Sequence, residues 1–205
     1  MNTLRTRVLA VDAFAPGAAP IAEAAAVLER GGMVAFPTET FYGLGVAALD
    51  AAAVGRLFVL KGRPESRPIL VLIDDPRRIE RFALLTTSAR ELIARHWPGA
   101  LTLVLPARAI VPPALTAGTG TIGVRQPAHA VARALAAALG APVTAPSANL
   151  TGEAPPTRAA EVLRVFDGRI DLVLDAGPTA GGSPSTVLDV TVDPPRVLRE
   201  GVVRP

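Results

Sequence analysis

The sequence predicts an α/β fold in which a single domain is built on a twisted, open, mixed sheet flanked by helices. Its 205 residues fit one domain with a substantial core. Half of the residues are hydrophobic and only 4% are aromatic, so alanine, valine and leucine must form most of that core. Helical and strand patterns alternate along the chain, and no linker or internal repeat divides them. This alternation is typical of α/β proteins and not of disordered or repeat proteins.

The first half of the chain contains three longer helices, a short helix and two strands. PIAEAAAVLERGG places its larger apolar residues on one face and ends in two glycines, which predicts a helix. MVAF predicts a buried strand, and PTETFYGLG predicts a polar, glycine-bearing turn after it. Asp50 can cap a second helix that stops at Gly62. PILVLI predicts a strand, Asp75 with Pro76 opens a short helix, and SARELIARHW predicts a longer one.

The second half continues the same alternation. LTLVLP and TIGVR predict strands, HAVARALAAALG predicts an alanine-rich helix ended by Gly140, and PVTA predicts a strand that leads into PSAN. A helix from about Thr157 to Phe166, the strand DLVLDA and two late strands, STVLDVTV and RVLRE, complete the chain. Strand directions are expected to be mixed.

Composition excludes several classes of site. The chain has no cysteine, so it can form neither a disulfide framework nor a thiolate metal site. Only two histidines are present, which argues against a histidine-rich zinc site. The net charge of +3 and the pI of about 10.4 indicate a mild attraction to phosphate-bearing partners. No stretch resembles a signal peptide or a membrane span, so we expect a cytoplasmic enzyme.

Two rare residue types mark the candidate site. Lys61 is the only lysine among 21 basic residues, and Asn149 is the only asparagine beyond the N-terminal tail. Lys61 and Arg63 form a K-x-R pair at the end of a predicted helix, where they could also simply interact with the helix dipole. Ser147 and Asn149 lie in PSAN, which could also be an ordinary turn. Lysine and arginine recognise phosphates differently, so a polyphosphate site would explain the use of both.

Two common nucleotide motifs do not account for such a site. GTGTIG matches G-x-G-x-x-G, but VRQP follows it where a dinucleotide-binding fold requires a helix. The sequence also contains no G-x-x-x-x-G-K-[ST] segment, which excludes a P-loop. ATP, if it binds, must therefore bind to another architecture.

Six motifs taken together resemble a known family. In order, they are PTETFYGLG, KGRP, TIGVR, PSANLTG, STVLD and LREG. Their order and spacing resemble those of the YrdC-like family, the L-threonylcarbamoyladenylate synthases of tRNA modification, from about residue 20 to residue 203. The resemblance implies one YrdC-like domain over residues 1–205 with a concave basic nucleotide-binding face. It also implies the short, single-domain type, without an additional C-terminal domain.

The resemblance further implies a reaction. L-Threonine, bicarbonate and ATP would give threonylcarbamoyl-AMP and pyrophosphate, with Mg²⁺ as the cofactor. Other proteins would then transfer the threonylcarbamoyl group to adenosine 37 of tRNAs that read ANN codons. Both chemical steps bring anions together, so catalysis is expected to depend on positioning and electrostatic stabilisation and to need no cysteine or histidine nucleophile.

Site roles follow from the same resemblance. Lys61 and Arg63 would hold the ATP phosphates and stabilise the developing pyrophosphate, which makes them the expected catalytic residues. The other expected ATP-binding residues are Thr121, Ser147, Asn149 and Arg199. The expected threonine-binding residues are Thr38, Arg67, Arg125 and Ser185, with Thr186 as an alternative to Ser185. No metal-binding side chain is expected, although Glu39 and Asp175 are unranked acidic candidates.

The sequence departs from the family pattern at two positions, and it leaves two alternative functions open. Arg67 stands where many relatives have a second lysine, and Pro155 stands where many have serine. A different class of function is a basic RNA-binding module without catalysis, whose affinity would fall steeply with salt. A carbamoyl-adenylate step in metallocentre maturation would normally require a much longer chain with zinc-finger cysteines.

Overall fold

The computed structural model describes residues 5–64 and 66–205. Glu65, four residues after Lys61 in the sequence, is not among the described residues. The α helices are α1 (Ala18–Glu29), α2 (Ala51–Lys61), α3 (Thr87–His96), α4 (Pro113–Thr116), α5 (Ala130–Leu139) and α6 (Ala159–Phe166), and a 3₁₀ helix spans Pro76–Arg81.

The described residues also form ten strands. They are β1 (Arg7–Ala10), β2 (Val34–Pro37), β3 (Tyr42–Gly45), β4 (Val71–Leu72), β5 (Leu101–Pro106), β6 (Thr121–Arg125), β7 (Val143–Thr144), β8 (Leu172–Asp175), β9 (Thr186–Asp189) and β10 (Arg196–Arg199). The α/β class and the mixed strand directions are confirmed. The division of the strands into two sheets was not predicted.

The smaller sheet has the order β1-β8-β2-β3 and the larger one the order β10-β9-β5-β6-β4-β7. Each sheet contains both parallel and antiparallel pairs. One isolated bridge joins Gly43 of β3 to Ser147 in the loop after β7, and another joins Ala47, two residues after β3, to Val143 of β7. The two polar turns that follow β2 and β7 are therefore neighbours in space.

The helix ends follow the predicted signals. Asp50 accepts hydrogen bonds from the backbone N–H groups of Ala52 and Ala53, and α2 ends at Gly62 in the left-handed conformation. Asp75 likewise caps the 3₁₀ helix, and Gly140 ends α5. Side chains of α1 and α5 pack against β2 and β8 in one of two apolar clusters. The described part of the chain contains no helix that is long and apolar enough to cross a membrane.

The prediction for PTETFYGLG was wrong in its second half. Only residues 38–41 form the turn, and Tyr42–Gly45 is β3, paired antiparallel with β2. The two glycines of β3 gave a turn signal, but Gly45 is required by packing: a Cβ there would lie 2.7 Å from a ring carbon of Phe36. Strand β1 was not predicted, and PILVLI forms a strand only at its Val71–Leu72 segment.

Candidate active site

A cavity of about 770 Å³ opens where residues of the two sheets meet. The β2–β3 turn contributes Thr38 and Thr40, and β5, β6, β9 and β10 contribute most of the opposite wall. Among the described residues, its charged lining consists of four arginines and one aspartate: Arg63, Arg125, Arg196, Arg199 and Asp189. This excess of positive charge suits an anionic ligand.

Seven of the ten predicted site residues line this cavity. They come from all six sequence motifs and are Thr38, Arg63, Thr121, Arg125, Ser147, Ser185 and Arg199. The remaining three, Lys61, Arg67 and Asn149, lie next to the cavity lining or on the surface and do not themselves line it. The structure therefore brings seven of the ten predicted residues together in one cavity and places the other three outside its lining.

Ser185 and Arg199 form one corner of the cavity. The guanidinium of Arg199 donates to the backbone oxygen of Ser185 at 2.7 and 3.1 Å and to its Oγ at 2.9 Å. Ser185 Oγ also lies 3.0 Å from Thr102 Oγ1 on β5. Thr186, the alternative to Ser185, instead hydrogen-bonds Val203 through its hydroxyl, so Ser185 is the residue that faces the cavity.

Gly201 explains why LREG accompanies STV in the sequence. A Cβ at Gly201 would lie 2.3 Å from the backbone oxygen of Pro184 and 2.5 Å from the backbone carbon of Ser185. Only a residue without a side chain allows this close approach. The approach keeps the chain after β10 against the segment that carries Ser185.

Arg125 is the last residue of β6 and is 3% exposed. Burial lowers the pKa of its guanidinium, and the charge of Glu39 opposes that shift. Burial also lowers the pKa of Arg199, and the nearby charge of Arg125 lowers it further. Because Arg125 lies close enough to disfavour the charge of Arg199, an anion bound beside both cations would be stabilised by them.

Lys61 ends α2 and is buried behind the PSAN loop. Its Nζ donates to the backbone oxygens of Ser147 and Asn149, each at 2.5 Å. Its own backbone oxygen accepts from the N–H of Thr151 at 3.1 Å. Burial lowers the pKa of the Lys61 ammonium to about 8, and the charge of Arg63 acts in the same direction. Two of its three ammonium donors are thus committed to the loop that carries Ser147.

Asn149 stabilises the same loop from within. Its Nδ2 donates to the backbone oxygens of Leu150 and Glu153 at 3.0 and 2.7 Å. Its Oδ1 is buried and has no hydrogen-bond partner among the described residues. Pro155 lines the cavity further along the loop, where it can offer a ligand no N–H group.

Arg63 and Arg67 have different positions although they share one segment. Arg63 lines the cavity, and its guanidinium donates to the backbone oxygens of Arg67 and Pro68 at 3.0 and 2.8 Å. Arg67 is exposed and does not line the cavity. Arg63 is therefore held by its own loop in a conformation that presents positive charge to the cavity.

Acidic side chains near the cavity are already engaged by protein groups. Asp189 Oδ1 accepts from the N–H and hydroxyl of Thr191, and its Oδ2 lies 3.6 Å from Arg196. Asp175 accepts from Gly177 and Tyr42. Within the described ranges, no group of three or more histidine, cysteine, aspartate or glutamate residues could hold a metal ion.

Comparison with known proteins identifies the family. A family model described as Sua5_yciO_yrdC, telomere recombination, matches residues 26–201. The chain belongs to this family. Its resemblance to YrdC-like proteins, first seen in six short motifs, is therefore confirmed over most of the sequence.

Curated members of the Sua5/YciO/YrdC family include close relatives of this chain. A threonylcarbamoyl-AMP synthase of Pyrococcus abyssi is 45% identical over 87% of this chain and 53% of its own length. The Bacillus subtilis protein of the same name is 43% identical over 98% of this chain and 59% of its own length. The chain thus spans between half and three fifths of these two relatives. It spans 92% of a threonylcarbamoyl-AMP synthase of Thiobacillus denitrificans, at 41% identity.

Solved structures of the family share the fold. The crystal structure of Pyrococcus abyssi Sua5 complexed with L-threonine superposes with a TM-score of 0.92 at 43% identity, covering 96% of this chain and 58% of that one. Escherichia coli YciO superposes with a TM-score of 0.88 at 28% identity, covering 96% of both chains. These matches confirm the YrdC-like α/β fold.

The sequence patterns missed two contributors to the site. Glu39 was considered only as an acidic candidate for magnesium, but its carboxylate contacts the guanidinium of Arg125. Gly201 was seen only as part of LREG, and its close contact with Ser185 requires the folded chain. For Glu39 the available signal was its position inside PTET, between two threonines.

Proposed function

We propose that this protein is an L-threonylcarbamoyladenylate synthase, which forms threonylcarbamoyl-AMP and pyrophosphate from L-threonine, bicarbonate and ATP. The proposal rests on one observation: five residues from four of the six sequence motifs line the same cavity. They are Arg63, Thr121, Arg125, Ser147 and Ser185. Relatives that bear the name threonylcarbamoyl-AMP synthase, including one covered over 92% of its length, support it.

The corner formed by Arg125, Ser185 and Arg199 would bind the threonine carboxylate. This proposal gives Arg199, which the resemblance assigns to ATP, a role at the threonine site because its guanidinium contacts Ser185. Two guanidinium groups and one hydroxyl converge there, and arginine can hold a carboxylate through two parallel hydrogen bonds. The Pyrococcus abyssi relative was solved with L-threonine, which supports an amino-acid site in this fold. Thr38 would approach the substrate from the opposite turn, although its hydroxyl donates to Phe41 in the free protein.

The triphosphate of ATP would lie along Arg63, Thr121 and Ser147. Lys61 would support this surface by ordering the PSAN loop, and its third ammonium donor would be available to a phosphate oxygen. Asn149 would act through the same loop. Arg67, which is exposed, would reach the ligand only if its segment closed over the cavity.

Catalysis would be electrostatic. The threonine amine must be carboxylated, and the resulting carbamate must attack the α-phosphorus while pyrophosphate leaves. Fixed cations reduce the repulsion between these anions and stabilise the charge that develops on the leaving group. Magnesium, carried mainly by the phosphates, would neutralise part of the same charge. Proteins of tRNA threonylcarbamoyl transfer would consume the product, and we expect the reaction to occur in the cytoplasm.

Pyrophosphate release from ATP tests the proposal. The assay uses the purified full chain with bicarbonate, with and without L-threonine, and compares the wild type with Lys61→Ala. We expect release that depends on threonine and bicarbonate and collapses in the variant. Arg30→Ala is the matched control, because Arg30 is exposed and does not line the cavity. Failure to release pyrophosphate, combined with salt-sensitive RNA affinity in all three proteins, would favour the binding-module alternative.

A further inference from the structure

Glu39 makes an unusual contact behind the wall of the cavity. Its Oε1 lies 3.2 Å from Nη1 of Arg125, and the two side chains are 19% and 4% exposed. Both carboxylate oxygens of Glu39, together with Nε and Nη1 of Arg125, are buried without an aligned hydrogen bond. The contact is therefore an ion pair that is shielded from water and is not locked by hydrogen-bond geometry.

The β2–β3 turn determines which way Glu39 faces. Thr38 and Thr40, its two neighbours, line the cavity, whereas Glu39 does not. The turn is fixed by a hydrogen bond from the N–H of Thr38 to the oxygen of Phe41, and by another from the N–H of Gly181 to the oxygen of Thr40. The turn therefore holds Glu39 out of the cavity lining, where its carboxylate contacts Arg125.

We propose that Glu39 is a positioning residue: the attraction of its carboxylate holds the Arg125 guanidinium at the cavity wall, where it receives the carboxylate of the amino-acid substrate. This inference rests on the proposed function for the identity of that substrate. It assigns Glu39 no contact with substrate and no proton transfer.

The electrostatics of the corner give the physical reason. Arg125 and Arg199 repel one another: burial lowers the pKa of Arg199, and the charge of Arg125 lowers it further. Glu39 is the carboxylate paired with Arg125, and without it a buried guanidinium would face another cation with no counter-ion. Removing one partner of a buried pair leaves an uncompensated charge, which is strongly unfavourable. Arg125 would then turn away from Arg199, and the carboxylate site would lose one of its two arginines.

His129 is the other titratable group that senses Glu39. The charge of Glu39 opposes the lowering of the His129 pKa by burial. The Nδ1 of His129 accepts from the N–H of Val131 at 3.3 Å and so caps α5. The histidine is therefore committed to its helix, and Arg125 remains the ion-pair partner of Glu39.

Threonine binding measured without ATP tests the inference in the full chain. Glu39→Gln keeps the shape of the side chain and removes its charge. We expect it to weaken L-threonine binding in calorimetry by about tenfold or more, equivalent to about 1.4 kcal/mol, and to raise the KM for threonine while leaving the KM for ATP nearly unchanged. Glu39→Asp, which retains the charge, should recover part of the loss. In the double variant with Arg125→Gln, Glu39→Gln should add little further loss.

Glu23→Gln is the matched control, because Glu23 pairs with Arg7 on the surface and does not line the cavity. It should leave threonine binding unchanged. Unaltered threonine affinity in Glu39→Gln would overturn the inference. So would a fall in kcat with unchanged threonine affinity, because that result would assign Glu39 a direct chemical role.

A crystal structure of Glu39→Gln separates this inference from the proposed function. The Arg125 guanidinium should leave its wild-type position, whatever the protein binds. If it stays in place, the positioning role is wrong. If it moves while the wild type neither binds threonine nor releases pyrophosphate, Glu39 positions Arg125 but the proposed substrate is wrong.

Discussion

The ammonium group of Lys61 donates a hydrogen bond to the backbone oxygen of Asn149, at a distance of 2.5 Å. The only lysine of the chain thus contacts its only asparagine beyond the N-terminal tail. A second bond of the same length reaches the oxygen of Ser147. Lysine suits this task because its compact ammonium can bond two converging carbonyl groups at once, whereas the planar fork of arginine is larger.

Burial of Lys61 predicts an unusual pH dependence of stability. Its pKa falls from 10.5 in the unfolded chain to about 8 in the folded one. Between these values the unfolded chain holds a proton that the folded chain has lost, so this residue makes the free energy of unfolding rise with pH. From about pH 7 to about pH 9.5, we expect the wild type to gain about 2 kcal/mol relative to Lys61→Met in urea titrations. A difference that stays constant or falls would contradict this.

The same ionisation predicts an alkaline limit on activity. Loss of its proton removes the positive charge of Lys61 and one of the hydrogen-bond donors of its ammonium group, which holds the PSAN loop. We expect kcat/KM for ATP in pyrophosphate release to fall as pH rises through about 8, the pKa of this group in the free enzyme. Lys61→Arg, which keeps its charge, should have lower activity but no such fall. An identical alkaline limb in both proteins would assign the titration to another group.

Gly201 should tolerate no side chain. In Gly201→Ala the new Cβ would overlap the backbone of Pro184 and Ser185, so that one of the two segments must move. We expect a loss of about 2 to 4 kcal/mol in the free energy of unfolding, or a displaced Ser185 with a raised KM for threonine. Gly55→Ala is the control: Gly55 lies in α2 with no atom within 4 Å of its added Cβ. Alanine there should stabilise the helix by up to about 1 kcal/mol.

Arg199 should not be replaceable by lysine. Its guanidinium makes three hydrogen bonds to Ser185, which one ammonium group cannot reproduce in the same geometry. Arg199→Lys is expected to raise the KM for threonine by about tenfold or more while leaving the melting temperature nearly unchanged. Arg95→Lys, in a surface ion pair with Glu91, should alter neither quantity. Wild-type KM in Arg199→Lys would show that charge alone suffices at this position.

Local chemistry made much of the fold predictable. Asp50 and Asp75 cap helices because their carboxylates accept from nearby backbone N–H groups, and Gly62 and Gly140 end helices because glycine readily adopts positive φ. These effects operate within a few residues and can be recognised in sequence. Strand β3 was missed because the reason for Gly45 is a contact with Phe36 on the adjacent strand.

For the candidate site, the sequence predicted most of the residues but not their contacts. The resemblance supplied ten residues, seven of which line one cavity. It could not show that Lys61 and Asn149 act on the loop behind that cavity, since their hydrogen bonds depend on where α2 ends relative to PSAN. Nor could it show the partner of Arg125, which lies 86 residues away in the chain, at position 39.

The sequence by itself determined the α/β class, the helix ends, the family and the residue types gathered for an anionic ligand. It did so because periodicity, capping and short motifs are carried by neighbouring residues. Only the tertiary structure decided which cations face the cavity, which one orders a loop and which carboxylate supports Arg125. Those roles depend on distances between residues far apart in the chain, and burial sets the strength of each charge only after the two sheets have come together.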